Sequence, residues 1–248
     1  MRRVKLVVAY DGTNYHGWQY QPNAVTVEGE LNKALSAMLG TEIKVIGASR
    51  TDAGVHALGN VAVFDTDSRI PGEKFSYALN TRLPEDIKVI SSCEVTEDFH
   101  PRYDCHNKTY EYRITRSEFM MPTKRLYSTH VYYKLNVEKM QEAAVHFVGE
   151  HDFASFCSTG STVEDTVRTI YALEVIEEKE DLIIRVTGNG FLYNMVRIIA
   201  GTLLNVGCGK MSVEECRAAI DGVSRELAGP TAPAKGLCLM QINYEKMS

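Results

Sequence analysis

The sequence lacks the runs and pairings that mark several classes of protein. Its six cysteines are scattered and form no CxxC pair, which argues against a zinc ribbon or a redox dithiol and fits reduced thiols in a cytosol. No stretch approaches the ~18 apolar residues of a membrane span. The apolar run Val4–Tyr10 is short, contains Lys5 and meets Asp11, unlike a secretory signal. We therefore expect a cytoplasmic protein without a membrane segment.

Familiar catalytic and cofactor motifs are also absent. The chain has no GxxxxGK[ST] loop, no GxGxxG, no GxSxG elbow and no HExxH. A glycine separates His146 from His151, which is poor geometry for sharing a metal. The neighbours Cys105 and His106 would point to opposite faces of a strand, so they do not suit a Cys–His nucleophile. We expect no metal and no cofactor, and carboxylates are left as the candidate reactive groups.

Acidic residues outnumber basic ones over the whole chain, but one segment is locally basic. The formal net charge is −5, so a nucleic-acid partner would require a local basic surface. Residues 100–125 carry more basic than acidic side chains, interleaved with Tyr103, Tyr110 and Tyr112. Cations mixed with aromatic rings are typical of an RNA-contacting surface, although solvated strand edges often look similar. The basic residues of this segment are Arg102, Lys108, Arg113, Arg116, Lys124 and Arg125.

The order of the predicted elements indicates two α+β halves. Residues 1–104 predict strand, helix, strand, strand, helix, strand, which is the split βαβ order of ferredoxin-like folds. Residues 105–248 predict a similar order without visible sequence identity. We expect mainly antiparallel sheets in two closely packed halves, because 248 residues suit one large domain or two intimate ones. A central cleft between the halves would be the natural site.

Apolar periodicity and capping residues place the individual elements. Thr26 and Gly40 bound a predicted helix, and Ser212 with Glu215 predicts a capping box for another. The run Glu177–Asp181 is predicted to be an acidic hairpin turn lying away from any polyanion site. Strands are predicted at residues 4–10, 43–46, 60–66, 87–93, 109–115, 126–133, 170–176, 182–187 and 237–244, and further helices at 71–79, 137–148 and 191–204.

One short stretch concentrates reactive side chains. Residues 47–57 carry Arg50, Asp52 and His56 between two predicted strands, and loops on a rigid scaffold often hold reactive groups. A nearby guanidinium keeps a carboxylate ionised. No second acid lies close to Asp52 in sequence, whereas glycosidases need two carboxylates at a set separation. One carboxylate beside an arginine suits a nucleophile or base at a sugar–base linkage. A plain strand-to-strand turn would have a similar composition, with His56 as a loop-stabilising residue.

Six motifs occur in one order along nearly the whole chain. They are Tyr10-Asp11-Gly12 with Gly17-Trp18-Gln19; Arg50-Thr51-Asp52-Ala53-Gly54-Val55-His56; Asp98-Phe99-His100 with Arg102 and Lys108-Thr109-Tyr110-Glu111-Tyr112; Gly149-Glu150-His151-Asp152-Phe153 with Ser155-Phe156; Asn194-Met195-Val196-Arg197; and Ala232-Pro233-Ala234 with Gly236-Leu237. Together they resemble the tRNA pseudouridine synthase A family, and the heptad around Asp52 is nearly unaltered from its catalytic motif.

The resemblance implies a reaction and a role for each site residue. It implies isomerisation of uridine to pseudouridine at tRNA positions 38–40, in the anticodon arm, by a homodimer that needs no redox cofactor, metal or ATP. Asp52 would be the catalytic aspartate, and Tyr110 would contact the target uracil. Arg197 would hold Asp52 ionised, and Arg50 would hold the flipped nucleotide or a phosphate. Without the resemblance, Tyr110 would be a core aromatic and Arg197 a snorkelling surface residue.

Two other functions fit parts of the same pattern. A non-catalytic RNA-binding protein on this scaffold would use the basic and aromatic surface but would not need Asp52. A hydrolase would break the N-glycosidic bond without rejoining it and would release the free base. The sequence also leaves three modes of action open for Asp52, which are attack at C1′ of the sugar, attack at C6 of the base, and removal of a sugar proton.

Overall fold

The computed structural model describes residues 1–160 and 163–245, which form ten strands and five α-helices joined by short 3-10 turns. The strands are β1 (Arg2–Tyr10), β2 (Ile46–Gly47), β3 (His56–Thr66), β4 (Ile87–Val95), β5 (Asn107–Arg116), β6 (Thr129–Val131), β7 (Gly149–Asp152), β8 (Val167–Glu178), β9 (Asp181–Gly188) and β10 (Leu237–Asn243). The helices are α1 (Val27–Leu39), α2 (Phe75–Asn80), α3 (Val137–Val145), α4 (Met195–Gly207) and α5 (Val213–Asp221). The predicted α+β class is confirmed. Within the described ranges, no helix is long and apolar enough to cross a membrane.

The chain divides into two compact units. The first comprises Met1–His106 and the segment that begins at Cys238, and the second comprises Asn107–Leu237. The sequence predicts residues 238–248 in the second half, but in the structure β10 pairs with β3 of the first unit. This pairing joins residues far apart in sequence, so no local sequence pattern predicts it.

In the first unit, β1 lies between β3 and β4 and is antiparallel to both. β2 is antiparallel to β3, whereas β10 is parallel to β3, so the pairing is mixed. Alternate residues of β1, including Val4, Leu6 and Val8, are fully buried, as the alternating pattern predicts. α1 begins where the Thr26 side chain accepts the Gly29 N–H and ends at left-handed Gly40. Both predicted ends of this helix are confirmed.

In the second unit, the strand order is β5-β9-β8-β7, with antiparallel neighbours, and β6 is parallel to β5. α4 is the most apolar helix, and most of its side chains are buried. The capping box predicted for α5 is confirmed, since Ser212 Oγ accepts the Glu215 N–H at 3.0 Å and Glu215 Oε2 accepts the Ser212 N–H at 2.7 Å.

Several predicted boundaries are wrong, for identifiable reasons. The strand before the reactive loop is only Ile46–Gly47, and the strand after it begins at His56, because pairing with β1 and β10 extends it. The strand predicted at 126–133 is limited to Thr129–Val131 by its short pairing with β5. The helix predicted at 191–204 begins at Met195, because Asn194 has a φ of 61°, outside the helical region.

Candidate active site

Asp52 opens a tight turn between β2 and β3. Its carbonyl oxygen accepts the Val55 N–H at 3.1 Å, and Gly54, in the third position, has a φ of +76°. Glycine adopts this left-handed conformation without strain, as type II turns require. The Asp52 side chain is half-buried, whereas Arg50, two residues earlier, is exposed. Within this loop, Arg50 is therefore more accessible to solvent than Asp52.

The end of β1 supports one side of this turn. A Cβ added to Gly12 would lie 2.0 Å from Val55 O, so only glycine allows this approach. The Gly12 N–H donates to His56 Nδ1 at 3.1 Å, and His56 is only 6% exposed. A ring nitrogen that accepts this bond carries no proton, which places the proton of the neutral ring on Nε2. Asp11 Oδ1 lies 3.2 Å from the same nitrogen.

The loop at residues 15–20 supports the other side of the turn. The Trp18 N–H donates to Thr51 O at 3.0 Å, and the indole covers Gly47, where an added Cβ would lie 2.3 Å from Trp18 Nε1. Trp18 and Tyr15 are buried, while Tyr20 is 57% exposed. Gly12 and Trp18 therefore pack directly against the backbone of the Asp52 loop.

A buried polar network holds two loop residues that precede Asp52, Ser49 and Thr51. Asn60 Nδ2, on β3, donates to Ser49 O at 3.0 Å and to the Tyr10 hydroxyl at 3.2 Å. The Tyr10 hydroxyl in turn shares a 2.7 Å hydrogen bond with Thr51 Oγ1. Neither Tyr10 nor Asn60 was a candidate site residue from the sequence. One signal was present, because an amide inside an apolar strand must find buried partners.

Arg50 lies within electrostatic reach of a buried acid at the start of α1. Glu28 is 7% exposed, and its Oε2 accepts from Gln19 Nε2 at 2.8 Å and from the Tyr20 N–H at 2.5 Å. Burial raises the pKa of Glu28, and the Tyr20 hydrogen bond and the positive charge of Arg50 partly oppose that rise. Arg50 and Asp52 belong to the same loop of the first unit.

Tyr110 and Arg197 both belong to the second unit. Tyr110 lies on β5 opposite Val186 of β9, and its ring meets Phe191 edge-on with 5.3 Å between centroids. Tyr110, Tyr112 and Ile114 are buried, but so are Thr109, Glu111 and Thr115, so burial along β5 does not alternate. Burial raises the pKa of Tyr112 to about 12, against the opposing effects of the Thr129 hydrogen bond and the Arg197 charge.

The Arg197 guanidinium is held near the start of α4. Its Nε–H donates to Ala232 O at 2.8 Å, its Nη1 donates to Asn194 Oδ1 at 2.6 Å, and the Ala232 N–H donates back to Arg197 O at 3.1 Å. A half-buried group with these partners is not a snorkelling side chain. The motif around Ala232 thus supplies the acceptor that orients Arg197. The predicted pairing of Arg197 with Asp52 joins different units and stays a prediction.

The acidic turn that follows β8 forms ion pairs with the basic segment at residues 100–125, whereas the sequence predicts that this turn lies away from any polyanion site. Arg113 Nη1 lies 3.2 Å from Asp181 Oδ2, Arg116 Nη1 lies 3.3 Å from Glu177 Oε1, and Lys124 Nζ lies 2.9 Å from Asp181 Oδ1. Burial raises the pKa of Asp181, but hydrogen bonds from Lys124 and Thr115 outweigh it and leave the pKa below its usual value. Arg102 and Arg125 remain exposed, so the basic surface is smaller than the sequence predicts.

Comparison with known proteins identifies the family. The model of a family described as tRNA pseudouridine synthase matches residues 6–104 and 143–245. A protein of Ruminiclostridium cellulolyticum named tRNA pseudouridine synthase A is 55% identical over 98% of this chain and 100% of its own length. Proteins of the same name from Thermoanaerobacter sp. and Acetivibrio thermocellus are 52% and 51% identical, with the same coverage. A crystal structure of a Cbf5-Nop10-Gar1 complex is 15% identical, with 96% of this chain and 58% of that chain covered and a TM-score of 0.34.

The matched family and the similar proteins are isomerases that act on uridine in tRNA. The chain belongs to the tRNA pseudouridine synthase family. The resemblance predicted from the six motifs is therefore confirmed, and with it the reaction class, which is isomerisation of uridine in tRNA.

Proposed function

We propose that this chain converts uridine to pseudouridine at positions 38–40 in the anticodon arm of tRNA, with Asp52 as the catalytic carboxylate. The observation that carries the proposal is the Asp52 turn, whose backbone is fixed by Gly12, Trp18 and the hydrogen bond to Val55. A carboxylate that must react at one atom of a bound nucleotide gains from being positioned in advance. Tyr110, Arg197 and Arg50 are proposed as substrate-binding residues.

The proposed reaction exchanges two bonds within one nucleotide. The N1–C1′ bond breaks, the uracil rotates, and a C5–C1′ bond forms. The proton at C5 is then lost to solvent, while N1 takes up a proton, so no electrons leave the nucleotide. Each of the three modes considered for Asp52 requires an ionised carboxylate, because attack at C1′, attack at C6 and removal of a sugar proton all use its lone pair. The target base must leave the stack, which favours nucleotides in loops or at stem ends.

Specific contacts support the proposed roles of the binding residues. Arg197 is oriented by Ala232 O and Asn194 Oδ1, and a half-buried guanidinium in such a setting suits an acidic partner. Arg50 is exposed in the Asp52 loop, where a guanidinium is available to a phosphate. Tyr110 offers an aromatic ring whose orientation is set by its edge-on contact with Phe191.

We also propose ferredoxin-like halves, a cytoplasmic location and a homodimer. Sedimentation at micromolar concentration measures the last of these.

The proposal predicts tritium release from tRNA labelled at C5 of uridine. Asp52→Asn, which removes the charge at nearly constant shape, should lower the release rate at least ~10²-fold while tRNA binding persists. Asp67→Asn, which removes an exposed carboxylate of the same unit, should release tritium at the wild-type rate. Replacing uridines 38–40 by cytidine should abolish release.

Each alternative function has its own outcome in that assay. Binding of tRNA without tritium release by the wild-type chain would support the RNA-binding protein. Release of free uracil would support the hydrolase. Full activity of Asp52→Asn would refute the role of Asp52, and release that survives substitution of all three uridines would refute the proposed positions.

A further inference from the structure

The loop segment that leads into Asp52 is anchored from inside the first unit, at Ser49 and Thr51. Asn60 is fully buried, and its amide is completely used, since Oδ1 accepts the Val61 N–H at 2.9 Å while Nδ2 donates to Ser49 O and Tyr10. These partners also fix which end of the amide is oxygen. Because an unpaired buried polar group costs roughly 1–3 kcal/mol, the network holds its members in one arrangement.

Both anchors lie on paired strands. Tyr10 is the last residue of β1, is 5% exposed and pairs in register with Ala57 of β3. Asn60 lies within β3 and pairs with Val8 of β1. From this base the Tyr10 hydroxyl reaches Thr51 Oγ1, and Thr51 is the residue that directly precedes Asp52. A side chain on a strand of a sheet therefore fixes the peptide that carries the carboxylate.

We propose that Tyr10 and Asn60 are positioning residues for the isomerisation, acting through Thr51 and Ser49 to hold the Asp52 carboxylate in its reactive geometry before tRNA binds. The inference rests on the proposed role of Asp52. Neither anchor is required to touch the nucleotide. Their effect is expected on the chemical step, because a displacement of about 1 Å at a reacting group can cost ~10²-fold in rate.

A purely structural role would have a different signature. If the network only stabilises the fold, removing a hydroxyl should lower the melting temperature and leave the turnover of the folded enzyme unchanged. If the network positions Asp52, the same change should lower kcat while KM and the affinity for tRNA persist. The two readings are therefore separated by measuring rate, affinity and stability on the same variants.

The decisive variants change single hydroxyl groups. Thr51→Val replaces the hydroxyl by a methyl group of similar size, and Tyr10→Phe removes only the phenol oxygen. We expect each to lower single-turnover tritium release ~10- to 100-fold, with the Kd for tRNA within about twofold of wild type. Thr51→Ser, which keeps the hydroxyl, should retain near wild-type rates. The double variant should fall only to the level of Tyr10→Phe, because both changes remove the same hydrogen bond.

Two matched controls separate this effect from the general loss of a hydroxyl. Thr66 is also buried on β3, and its Oγ1 accepts the Ser68 N–H at 3.1 Å. The Tyr244 hydroxyl donates at 2.8 Å to the carbonyl oxygen of Pro101, a residue outside the Asp52 loop. Thr66→Val and Tyr244→Phe should lower stability by similar amounts without lowering the rate.

The possible outcomes distinguish this inference from the proposed function. Wild-type kcat in Thr51→Val would overturn the positioning role even if the melting temperature falls. Independent, multiplicative losses in the double variant would overturn the shared pathway. If Asp52→Asn is inactive while Thr51→Val is fully active, only the positioning inference fails. If Asp52→Asn is active, the proposed function fails first. Should Tyr10→Phe not fold, the comparison of Thr51→Val with Thr51→Ser still decides.

Discussion

At the scale of single residues, Glu28 shows how the cost of burying a charge is offset by hydrogen bonds and a nearby cation. The Glu28 carboxylate is almost excluded from water. Hydrogen bonds from the Tyr20 N–H and the Gln19 amide offset part of the cost of burying it. Those two bonds tie the loop at residues 15–20 to α1. Burial nevertheless dominates, so the pKa of Glu28 is raised.

Glu28→Gln is predicted to change the pH dependence of stability. A carboxyl with a raised pKa binds more protons in the folded than in the unfolded protein, so wild-type stability falls as pH rises from the ordinary glutamate pKa through the raised folded pKa. Glutamine can accept the same two bonds through its amide oxygen and does not titrate. The free energy of unfolding of the variant should therefore gain on that of wild type as pH rises through this window.

Urea unfolding of both proteins between pH 4 and pH 8 measures this difference. Glu42→Gln removes one negative charge from an exposed position in the same unit and serves as the control. A wild-type protein that instead gained stability relative to Glu28→Gln on raising the pH would contradict the assigned direction of the pKa.

The sequence pointed to Arg50 and Asp52 through the local concentration of reactive side chains, whereas Tyr110 and Arg197 became site candidates only through the family resemblance. The sequence did not identify Tyr10 and Asn60 as site residues. Their importance lies in contacts between β1, β3 and the loop, which local sequence patterns do not reveal. Asn60 was the best available clue, since a buried amide must be satisfied. The oxygen that orients Arg197 belongs to Ala232, a residue whose own side chain carries no chemistry.

At the scale of secondary-structure elements, local capping rules succeeded where pairing rules could not apply. The Thr26 cap of α1 and the Ser212 capping box of α5 are encoded within four residues, so the sequence alone predicts them. The lengths of β2 and β6 depend on their partner strands, and both were predicted too long. The start of α4 depends on the left-handed Asn194, which apolar periodicity does not reveal.

Gly201→Ala is predicted to destabilise the protein although it lies inside helix α4. Helix propensity alone would favour alanine by about 1 kcal/mol. At this position, however, an added Cβ would lie 1.8 Å from Pro230 O, in the loop that supplies the acceptor for Arg197. Overpacking of this kind typically costs about 1–3 kcal/mol. We therefore expect lower stability in urea unfolding and slower tritium release.

Gly190→Ala provides the control for adding a methyl group to the same unit. The nearest atom to that Cβ is 3.6 Å away, so this change should be tolerated. If Gly201→Ala were more stable than wild type, helix propensity would outweigh the contact with Pro230. That result would contradict close packing of this loop against α4.

At the scale of the whole molecule, an acidic chain must bind a polyanion. With a formal net charge of −5, the overall field does not attract tRNA, so affinity has to come from particular exposed cations. Basic residues are not equivalent in this respect. Lys124 is paired with Asp181, whereas its neighbour Arg125 is exposed and its guanidinium donates only to Pro122 O among the described hydrogen bonds.

Lys124 and Arg125 therefore offer a matched test of which cations contact RNA. Arg125→Gln should weaken tRNA binding and reduce the slope of log affinity against log salt by ~0.7–0.9, the value for one phosphate contact. Lys124→Gln should leave that slope unchanged and lower stability instead, because Asp181 loses a hydrogen-bonded partner. Both slopes come from binding isotherms at several salt concentrations. Equal slope changes would mean that ion pairing with the acidic turn does not withdraw Lys124 from RNA, and the basic surface would then extend over the whole segment at residues 100–125.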